Sequence, residues 1–221
     1  MTATAGHAQK FAGKVALVSG AGDGACRATA IAFAREGATV MVAGPDEEQL
    51  AGTVKLIRDA GGRAGSVVAD VARDGVGAAA RMVAATVERF GAPDFAFNDA
   101  SVTGPEGPGS GTGLVEVDWV VSLAAHLTGL FAAMKHELAP MEARGSGVIV
   151  NTALAVPRTE RLIGRSAYAG YAAALTTLTA TAAAESADLG VRIAALDDGA
   201  ATAEELAERV LRLCSDPSGD A

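Results

Sequence analysis

The stretch that decides the fold is Ser19-Gly-Ala-Gly-Asp-Gly-Ala-Cys26, which follows the first apolar run of the chain and precedes a helical pattern over Ala25 to Glu36. A glycine-rich turn between a strand and a helix lets the backbone approach a pyrophosphate, with the helix N-terminus facing the anion. Glycine matches also arise in ordinary tight turns, so the strand-to-helix context carries the argument. We predict a dinucleotide site here, with Gly20, Gly22 and Gly24 as binding residues.

Outward from this turn, short β-rich apolar runs alternate with longer helical patterns along the chain. This alternation is typical of βαβ units, and right-handed crossovers then give a Rossmann-like, doubly wound parallel α/β sheet of about six strands with helices on both faces. The predicted strands are Lys14 to Ser19, Thr39 to Ala43, Ser66 to Ala69, Phe95 to Asn98, Gly147 to Thr152 and Arg192 to Leu196. The predicted helices are Ala25 to Glu36, Glu47 to Ala60, Val76 to Phe90, Val117 to Glu137 and Ala167 to Asp188.

The 221 residues, half of them hydrophobic, are enough to bury the core of one α/β domain. We expect this domain to span residues 11–215, between a flexible N-terminus at 1–10 and a C-terminal tail at 216–221. A capping-box pattern, Thr202-Ala-Glu-Glu205, predicts the start of a last helix.

Charge and composition argue against several classes of function. The net charge is -8 and the 18 basic residues are scattered, so we expect no nucleic-acid partner. No apolar run approaches the roughly 20 residues that span a bilayer, and Met1 to Lys10 lacks the layout of a secretory signal, so we expect a cytoplasmic protein. Cys26 and Cys214 lack metal-type spacing, and we predict no metal site.

An ordered set of motifs between Phe11 and Pro217 resembles the short-chain dehydrogenase/reductase family. The resemblance implies NAD or NADP as the cofactor, with Asp70 near the adenine ring and Asn98 in the element after the fourth strand. The motifs are Phe11-Ala-Gly-Lys-Val-Ala-Leu-Val-Ser-Gly20, Val68-Ala-Asp-Val71, Asn98-Asp-Ala-Ser101, Gly147-Val-Ile-Val-Asn-Thr152 and Ser166-Ala-Tyr168.

The chain departs from the family at its cofactor positions. Cys26 replaces the last glycine of the family's turn, and we expect its side chain to crowd the phosphate site. The family places an acidic residue for NAD or a basic one for NADP after the second strand, where this chain has Gly44 and Pro45. The sequence therefore selects neither cofactor, and Asp70 has an equal alternative interpretation as a helix cap.

The departures extend to the catalytic positions. The resemblance implies that Tyr168 is the acid, assisted by a lysine four residues later, a serine and an asparagine. Free tyrosine has a pKa near ~10, so it needs a neighbouring cation to exchange a proton with a substrate close to neutral pH. This chain has Ala172 at the lysine position, Leu154 at the serine position and His126 at the asparagine position. Tyr168 and His126 are the candidate catalytic residues, each with an alternative as a packed structural residue.

The resemblance also implies an oligomer, because the helical segments 117–137 and 167–187 correspond to the family's four-helix interface. The nearly uncharged run Ala167 to Ala187 requires burial on several sides. After Asp197-Asp-Gly199 the last helix follows almost at once, so we expect neither the family's substrate lid nor its final strand.

These observations leave three hypotheses for function. The leading one is a catalytically impaired or non-catalytic subunit that associates with an intact homologue. The second is an active NAD(P)-dependent oxidoreductase of a carbonyl or alcohol substrate that uses Tyr168. The third is a cofactor-free binding protein, an isomerase or a cyclase, since the fold alone does not determine the function.

Overall fold

One parallel sheet organises the chain in the computed structural model, which describes residues 9–99, 127–153, 166–197 and 201–215. The described part of the sheet has six strands in the order β3-β2-β1-β4-β5-β6, with every neighbouring pair parallel. The predicted Rossmann-like fold is therefore confirmed. The strands are β1 (Val15–Val18), β2 (Thr39–Gly44), β3 (Arg63–Val68), β4 (Phe95–Asn98), β5 (Gly147–Ala153) and β6 (Val191–Asp197).

Helices cover both faces of this sheet because the strands bury side chains in both directions. Val18 and Val42 belong to the core beneath one helical layer, whereas Leu17 and Met41 belong to the core beneath the other. The first layer contains α1 (Gly24–Arg35), α2 (Glu47–Asp59) and α6 (Ala203–Ser215). The second layer contains α3 (Val71–Phe90), α4 (Gly129–Arg144) and α5 (Ser166–Ser186), and α5 leads into a short 3-10 turn at Ala187–Leu189.

Within the described residues, two element starts differ from the sequence prediction by more than one residue, and the predicted helix start at Val117 lies outside them. Strand β3 begins at Arg63, three residues early, because it is an edge strand that carries the exposed polar residues Arg63 and Ser66 and so lacks the expected apolar run. Helix α3 begins at Val71, because Asp70 caps it there. The helical pattern is interrupted at Gly75, whose φ of 51° is a conformation open mainly to glycine.

Helix α4 ends at Arg144, later than the predicted Glu137, and continues through Pro140. The added residues, about two turns, are stabilised by packing, since Met141 is fully buried in the core. Arg144 also donates hydrogen bonds to the carbonyl oxygens of Ala92 and Pro93 at 2.9 and 2.8 Å. Tertiary contacts therefore outweigh the hydrogen bond that a proline removes.

The predicted last helix is confirmed as α6, and its capping box forms as expected. The Thr202 hydroxyl accepts a hydrogen bond from the Glu205 backbone N–H at 3.2 Å, and the Glu205 carboxylate accepts one from the Thr202 backbone N–H at 2.8 Å. None of the described helices is long and apolar enough to cross a bilayer. The expectations for residues 1–8 and 216–221 lie outside the described residues.

Candidate active site

The crevice of interest lies where the strand order reverses, between β1 and β4. These two parallel strands pair directly. From β1 the chain continues to β2 on one side of the pair, and from β4 it continues to β5 on the other side. Ligands of open α/β sheets bind at the carboxyl ends of the strands at such a point. Here the carboxyl end of β1 leads into the glycine turn, and that of β4 leads to Asn98 and Asp99.

Each predicted glycine of the turn has a physical reason to lack a side chain. Gly20 and Gly24 have φ of 66° and 51°, in the left-handed region that other residues avoid. A Cβ on Gly22 would lie 2.7 Å from Oε1 of Gln49, whose side chain packs against the turn. The turn therefore places bare backbone at the mouth of the crevice.

Helix α1 opens from this turn with its N-terminus uncapped by the preceding residue. Asp23 is at the N-cap position with extended backbone, but its side chain makes no capping hydrogen bond. The first turn of α1 carries no acidic residue. The partial positive charge of the helix N-terminus is thus not neutralised by a carboxylate of its own first turn, which suits an anion.

Side chains from α1 and α2 brace the turn from behind. The Arg27 guanidinium donates to the carbonyl oxygen of Gly22 and, at 3.1 Å, to the hydroxyl of Thr53. That hydroxyl donates to the carbonyl oxygen of Ala21 at 2.8 Å. The turn is consequently held in one shape before any ligand arrives.

Cys26 stands in the first turn of α1, with its side chain packed in the core instead of exposed in the crevice. Burial, followed by the hydrogen bond and charge of Asp99, raises the pKa of its thiol well above the usual value. The thiol therefore stays protonated at neutral pH and donates to Asp99. Cys26 is not a thiolate nucleophile.

At the end of β2, the structure shows an acidic residue that the sequence reasoning missed. Asp46 lies just beyond Gly44 and Pro45, and its carboxylate accepts a hydrogen bond from the Gln49 backbone N–H at 3.0 Å. Glu47 follows in the same helical turn. The spacing of an aspartate three residues before a glutamine, as in a capping box, is the signal that would have identified Asp46.

Asp70 has a capping role in the structure. Its carboxylate accepts a hydrogen bond at 3.0 Å from the backbone N–H of Arg73 and caps α3. This supports one of the two alternatives drawn from the sequence. The contact of Asp70 with an adenine ring stays a prediction.

Asn98 is buried, and its side chain is directed away from the crevice into a polar network. Its Nδ2 donates to Oε2 of Glu137 at 2.8 Å and to Oδ1 of Asn151 at 3.2 Å. Nδ2 of Asn151 in turn donates to the Thr179 hydroxyl at 3.2 Å. The predicted contribution of Asn98 to cofactor binding would therefore come from support beneath the crevice.

Asp99 lies above this network and connects three strand ends. Its backbone N–H donates to the Ser19 hydroxyl at 3.3 Å, and its carboxylate accepts from the Thr152 hydroxyl at 3.1 Å. Ser19 follows β1 and Thr152 lies in β5. Asp99 thus fixes the floor of the crevice across β1, β4 and β5.

Glu137 is a second residue that the sequence reasoning missed. Its carboxyl is completely buried, and desolvation raises its pKa from 4.5 to about 7, partly opposed by the hydrogen bond from Asn98. It occupies a stripe of α4 that is otherwise apolar, with Leu130, Met134 and Met141. An ionisable residue in such a stripe is the signal that would have identified it.

The candidate catalytic residues are only partly described. Tyr168 lies in the first turn of α5, and Ala172 lies one turn later with a fully buried side chain. Ala172 packs with Ile149 and Leu175 in the core shared by β5 and α5. His126 and Leu154 lie outside the described residues, so their grouping with Tyr168 stays a prediction.

Comparison with known proteins identifies the family. The family model for short chain dehydrogenase matches residues 14–210. The chain belongs to this family. An oxidoreductase of Thermotoga maritima, described as uncharacterized, is 36% identical over 205 residues, which cover 90% of this chain and 76% of that protein. Levodione reductase of Leifsonia aquatica is 35% identical over 202 residues, covering 90% of this chain and 74% of that protein.

A solved structure of the family matches the whole architecture. The crystal structure of a metagenomic short-chain oxidoreductase in complex with NADP superposes with a TM-score of 0.86 at 25% identity. The match covers 96% of this chain and 94% of that one. The fold is therefore shared with a protein whose structure was solved in complex with NADP.

These comparisons contradict the leading sequence-based hypothesis. The expectation of an impaired or non-catalytic subunit rested on Leu154 and Ala172 at two catalytic positions. The two relatives that match 90% of this chain are named as an oxidoreductase and a reductase. Neither name points to a non-catalytic role. The hypothesis was wrong because it took the loss of assisting groups as the loss of the reaction.

Proposed function

We propose that this protein is an NAD(P)-dependent oxidoreductase that interconverts a carbonyl compound and the corresponding alcohol. The observation that carries the proposal is the braced glycine turn at the strand reversal, with the uncapped N-terminus of α1 behind it. The reductase name of a relative and the NADP bound by a solved neighbour support the same reaction class.

The residues of the crevice fit a dinucleotide. Gly20 and Gly24 leave room for a pyrophosphate, which the backbone of the turn and the N-terminus of α1 would hold. Asp99 and the ends of β1, β4 and β5 form the floor on which the nicotinamide half would rest. A bound dinucleotide supplies the hydride, and the protein's part is to bind, orient and move a proton.

Tyr168 is the proposed proton donor, and Ala172 determines how we expect it to act. An unassisted tyrosine hydroxyl stays protonated through the neutral range, since it ionises near ~10. The uncharged Ala172 offers no cation from one turn away. A protonated tyrosine can donate to a forming alkoxide but cannot accept a proton from an alcohol, so carbonyl reduction is the favoured direction.

This asymmetry predicts different pH profiles for the two directions. We expect the rate of ketone reduction to be almost constant from about pH 6 to about pH 9, because a tyrosine acid without a neighbouring cation is active in its protonated form and has a pKa near ~10. The rate of oxidation of the matching alcohol should rise about tenfold per pH unit at pH values below the pKa of the tyrosine. Initial rates with NADH and ketone, then with NAD and alcohol, test this. Equal profiles would contradict the role of an unassisted Tyr168.

The activity itself is tested by a substrate panel. The purified chain is mixed with NADH or NADPH and a series of ketones and diones, and dinucleotide oxidation is followed by absorbance. Turnover of any of these that depends on the protein supports the proposal. Tight dinucleotide binding without turnover of any carbonyl would contradict the proposed reaction, whereas no binding of either dinucleotide would favour the third hypothesis, a cofactor-free binding protein, isomerase or cyclase.

The charges beside the ribose position favour NAD over NADP. Asp46 caps α2 directly after β2, Glu47 and Glu48 lie in the first turn of this helix, and all three residues are exposed. Ala21 of the glycine turn donates its N–H to the carbonyl of Ala43 at 3.0 Å, which places this helix start beside the turn. A carboxylate there can accept a hydrogen bond from a ribose hydroxyl of NAD, but it repels the additional phosphate of NADP.

We predict that NADH binds at least about tenfold more tightly than NADPH, which corresponds to one hydrogen bond to a charged group. Asp46→Asn keeps an oxygen that can cap α2 and removes the charge, so the preference should shrink while stability is retained. Fluorescence titration of both dinucleotides measures the ratio. A preference for NADPH in the unmodified chain would overturn this assignment.

An oligomer through α4 and α5 is the proposed assembly. A groove between these helices is lined by apolar side chains that include Met134, Leu138 and Leu178, and the exposed Phe131 stands at it. A large aromatic side chain exposed beside such a groove is expected at an interface between subunits. The occupant that the family resemblance favours is a second copy of this chain, arranged so that the two helices pair with their equivalents.

Phe131→Asp should therefore reduce the oligomer to smaller species, because it places a charge in the proposed interface. Leu56→Asp is the matched control, since Leu56 is exposed to a similar extent, 50% against 51%, but lies on α2 in the opposite layer. Sedimentation velocity measures both variants. An unchanged assembly in Phe131→Asp, or equal dissociation in Leu56→Asp, would contradict this interface.

A further inference from the structure

We propose that Glu137 is a positioning residue for the dinucleotide crevice: its buried carboxyl holds Asn98 at the end of β4 and thereby fixes the floor at Asp99. The residue is not part of the sequence motifs and does not line the crevice. The proposal rests on the proposed function for its consequence in dinucleotide binding, but its structural part stands without it.

The contact itself is short and completely enclosed. Oε2 of Glu137 accepts from Nδ2 of Asn98 at 2.8 Å, and both side chains are at most 2% exposed. Glu137 belongs to α4 and Asn98 to β4, so the hydrogen bond ties a helix of the second layer to the strand that ends at the crevice. In this enclosed setting a hydrogen bond is strong, and an unpaired group is costly.

Two further atoms show that this pair is more than a packing contact. Oδ1 of Asn98 and Oε1 of Glu137 are buried and have no hydrogen-bond partner among the described residues. A neutral carboxylic acid and an amide can satisfy each other in both directions, since the acid O–H donates to the amide oxygen while the amide N–H donates to the acid oxygen. This second hydrogen bond would join Oε1 of Glu137 and Oδ1 of Asn98, the two buried atoms that lack a partner among the described residues.

The orientation of Asn98 is settled by its other neighbour. Nδ2 of Asn98 also donates to Oδ1 of Asn151 at 3.2 Å, so both groups that face Nδ2 are acceptors. Turning the amide over would place Oδ1 of Asn98 against Oδ1 of Asn151, an oxygen that cannot donate a hydrogen bond. Asn151 is the residue of β5 in register with Asn98, and its own Nδ2 donates to Thr179.

The network transmits the position of α4 and α5 to the floor of the crevice. Asn98 is followed directly by Asp99, whose N–H and carboxylate bind Ser19 and Thr152. Because Asn98 and Asp99 share a peptide bond, the side-chain hydrogen bonds that hold Asn98 also limit how far the backbone at Asp99 can shift. Glu137 therefore acts on the crevice through Asn98, without contact with cofactor or substrate.

The test compares two variants of Glu137 with a matched control. Glu137→Gln keeps an oxygen that accepts from Asn98, whereas Glu137→Leu removes it and leaves a side chain of similar volume. Thr86→Val is the control, because Thr86 is fully buried in α3 and its hydroxyl donates only within its own helix to the Met82 carbonyl. If Glu137→Leu does not fold, the unbranched Glu137→Met replaces it.

The first readout is hydrogen exchange of the Asp99 amide without any dinucleotide. We expect Glu137→Leu to accelerate this exchange about tenfold or more relative to amides of β1 and β2, and Glu137→Gln to restore protection. Thr86→Val should leave it unchanged. Wild-type protection at Asp99 in a folded Glu137→Leu or Glu137→Met protein would overturn the proposal.

The second readout is the Kd of NADH, which should rise about tenfold in Glu137→Leu and less than about twofold in Glu137→Gln. The two proposals can fail separately. If the unmodified chain binds no dinucleotide, the proposed function fails and Asp99 exchange still decides the role of Glu137. If the chain binds NADH and Glu137→Leu binds it equally well, the positioning role fails and the proposed function stands.

Discussion

Tyr168→Phe is expected to lower the turnover number for ketone reduction by about 100-fold or more, with little change in the Kd of NADH. The substitution removes one hydroxyl and keeps the ring. A positioned acid that protonates the forming alkoxide contributes roughly 10²- to 10⁴-fold, and Tyr168 is the residue of α5 that we assign to this task. Single-turnover and steady-state rates with the best ketone of the panel measure the loss.

Tyr171→Phe is the matched control for this prediction. Tyr171 lies on the same helix, almost one turn later, and is 2% exposed in the core. Its hydroxyl can contribute to stability, so the melting temperature of this variant is expected to fall while turnover at a permissive temperature is retained. Full turnover in Tyr168→Phe would eliminate this tyrosine as the acid.

Glu137→Gln is expected to remove a loss of stability that the Glu137 carboxyl causes in the wild-type chain as the pH rises from about 5 to about 8. The folded pKa of Glu137 is raised to about 7 by burial, against 4.5 for the exposed group. Between these values the folded chain keeps a proton that the unfolded chain has released, so the free energy of unfolding falls as pH rises. The stabilisation by the protonated Glu137 carboxyl is complete below about pH 4.5 and is lost as the pH rises through about 7.

The expected size of this effect is about 3 kcal/mol, which is large compared with the stability of a typical domain. Urea unfolding of wild type and Glu137→Gln across this range gives the difference curve that isolates one carboxyl. Glu205→Gln serves as the control of sign: the two hydrogen bonds from Thr202 lower the Glu205 pKa, so its contribution is lost as pH falls. Parallel curves for wild type and Glu137→Gln would refute the raised pKa.

The sequence predicted most of the fold because local and long-range signals agree. Alternating strands and helices, a glycine turn after β1 and a capping box at Thr202 all favour one parallel sheet. The errors lie where tertiary contacts outweigh local preference. Edge strand β3 starts earlier than its apolar run, and α4 passes through Pro140 because Met141 is buried and Arg144 binds the carbonyls of Ala92 and Pro93.

The candidate site was predicted less completely, for a physical reason. Gly20, Gly22 and Gly24 stand in one short segment, where spacing alone identifies a turn. Glu137 and Asn98 are 39 residues apart, and only the pairing of α4 with β4 brings them within hydrogen-bond distance. A motif scan treats residues by their sequence neighbours and therefore misses a carboxyl that reaches a different motif across the core.

The inference about function shows the related weakness of arguing from missing groups. Ala172 carries no charge, and the structure buries it fully in the core of the chain. The uncharged residue at this position led to the incorrect hypothesis of a catalytically impaired subunit. In the proposed mechanism, the absence of a lysine at this position favours proton donation by the tyrosine over proton acceptance at neutral pH, and the glycine turn of the crevice is retained.

The central claim is that the braced turn and the floor at Asp99 bind a nicotinamide dinucleotide for reaction. Titration with NADH, followed by nicotinamide fluorescence and melting temperature together, tests it most directly, because a ligand of the native state must stabilise that state. We predict saturable micromolar binding of NADH, weaker binding of NADPH, and a melting temperature that rises with either. No fluorescence change and no thermal shift with both dinucleotides would contradict the claim.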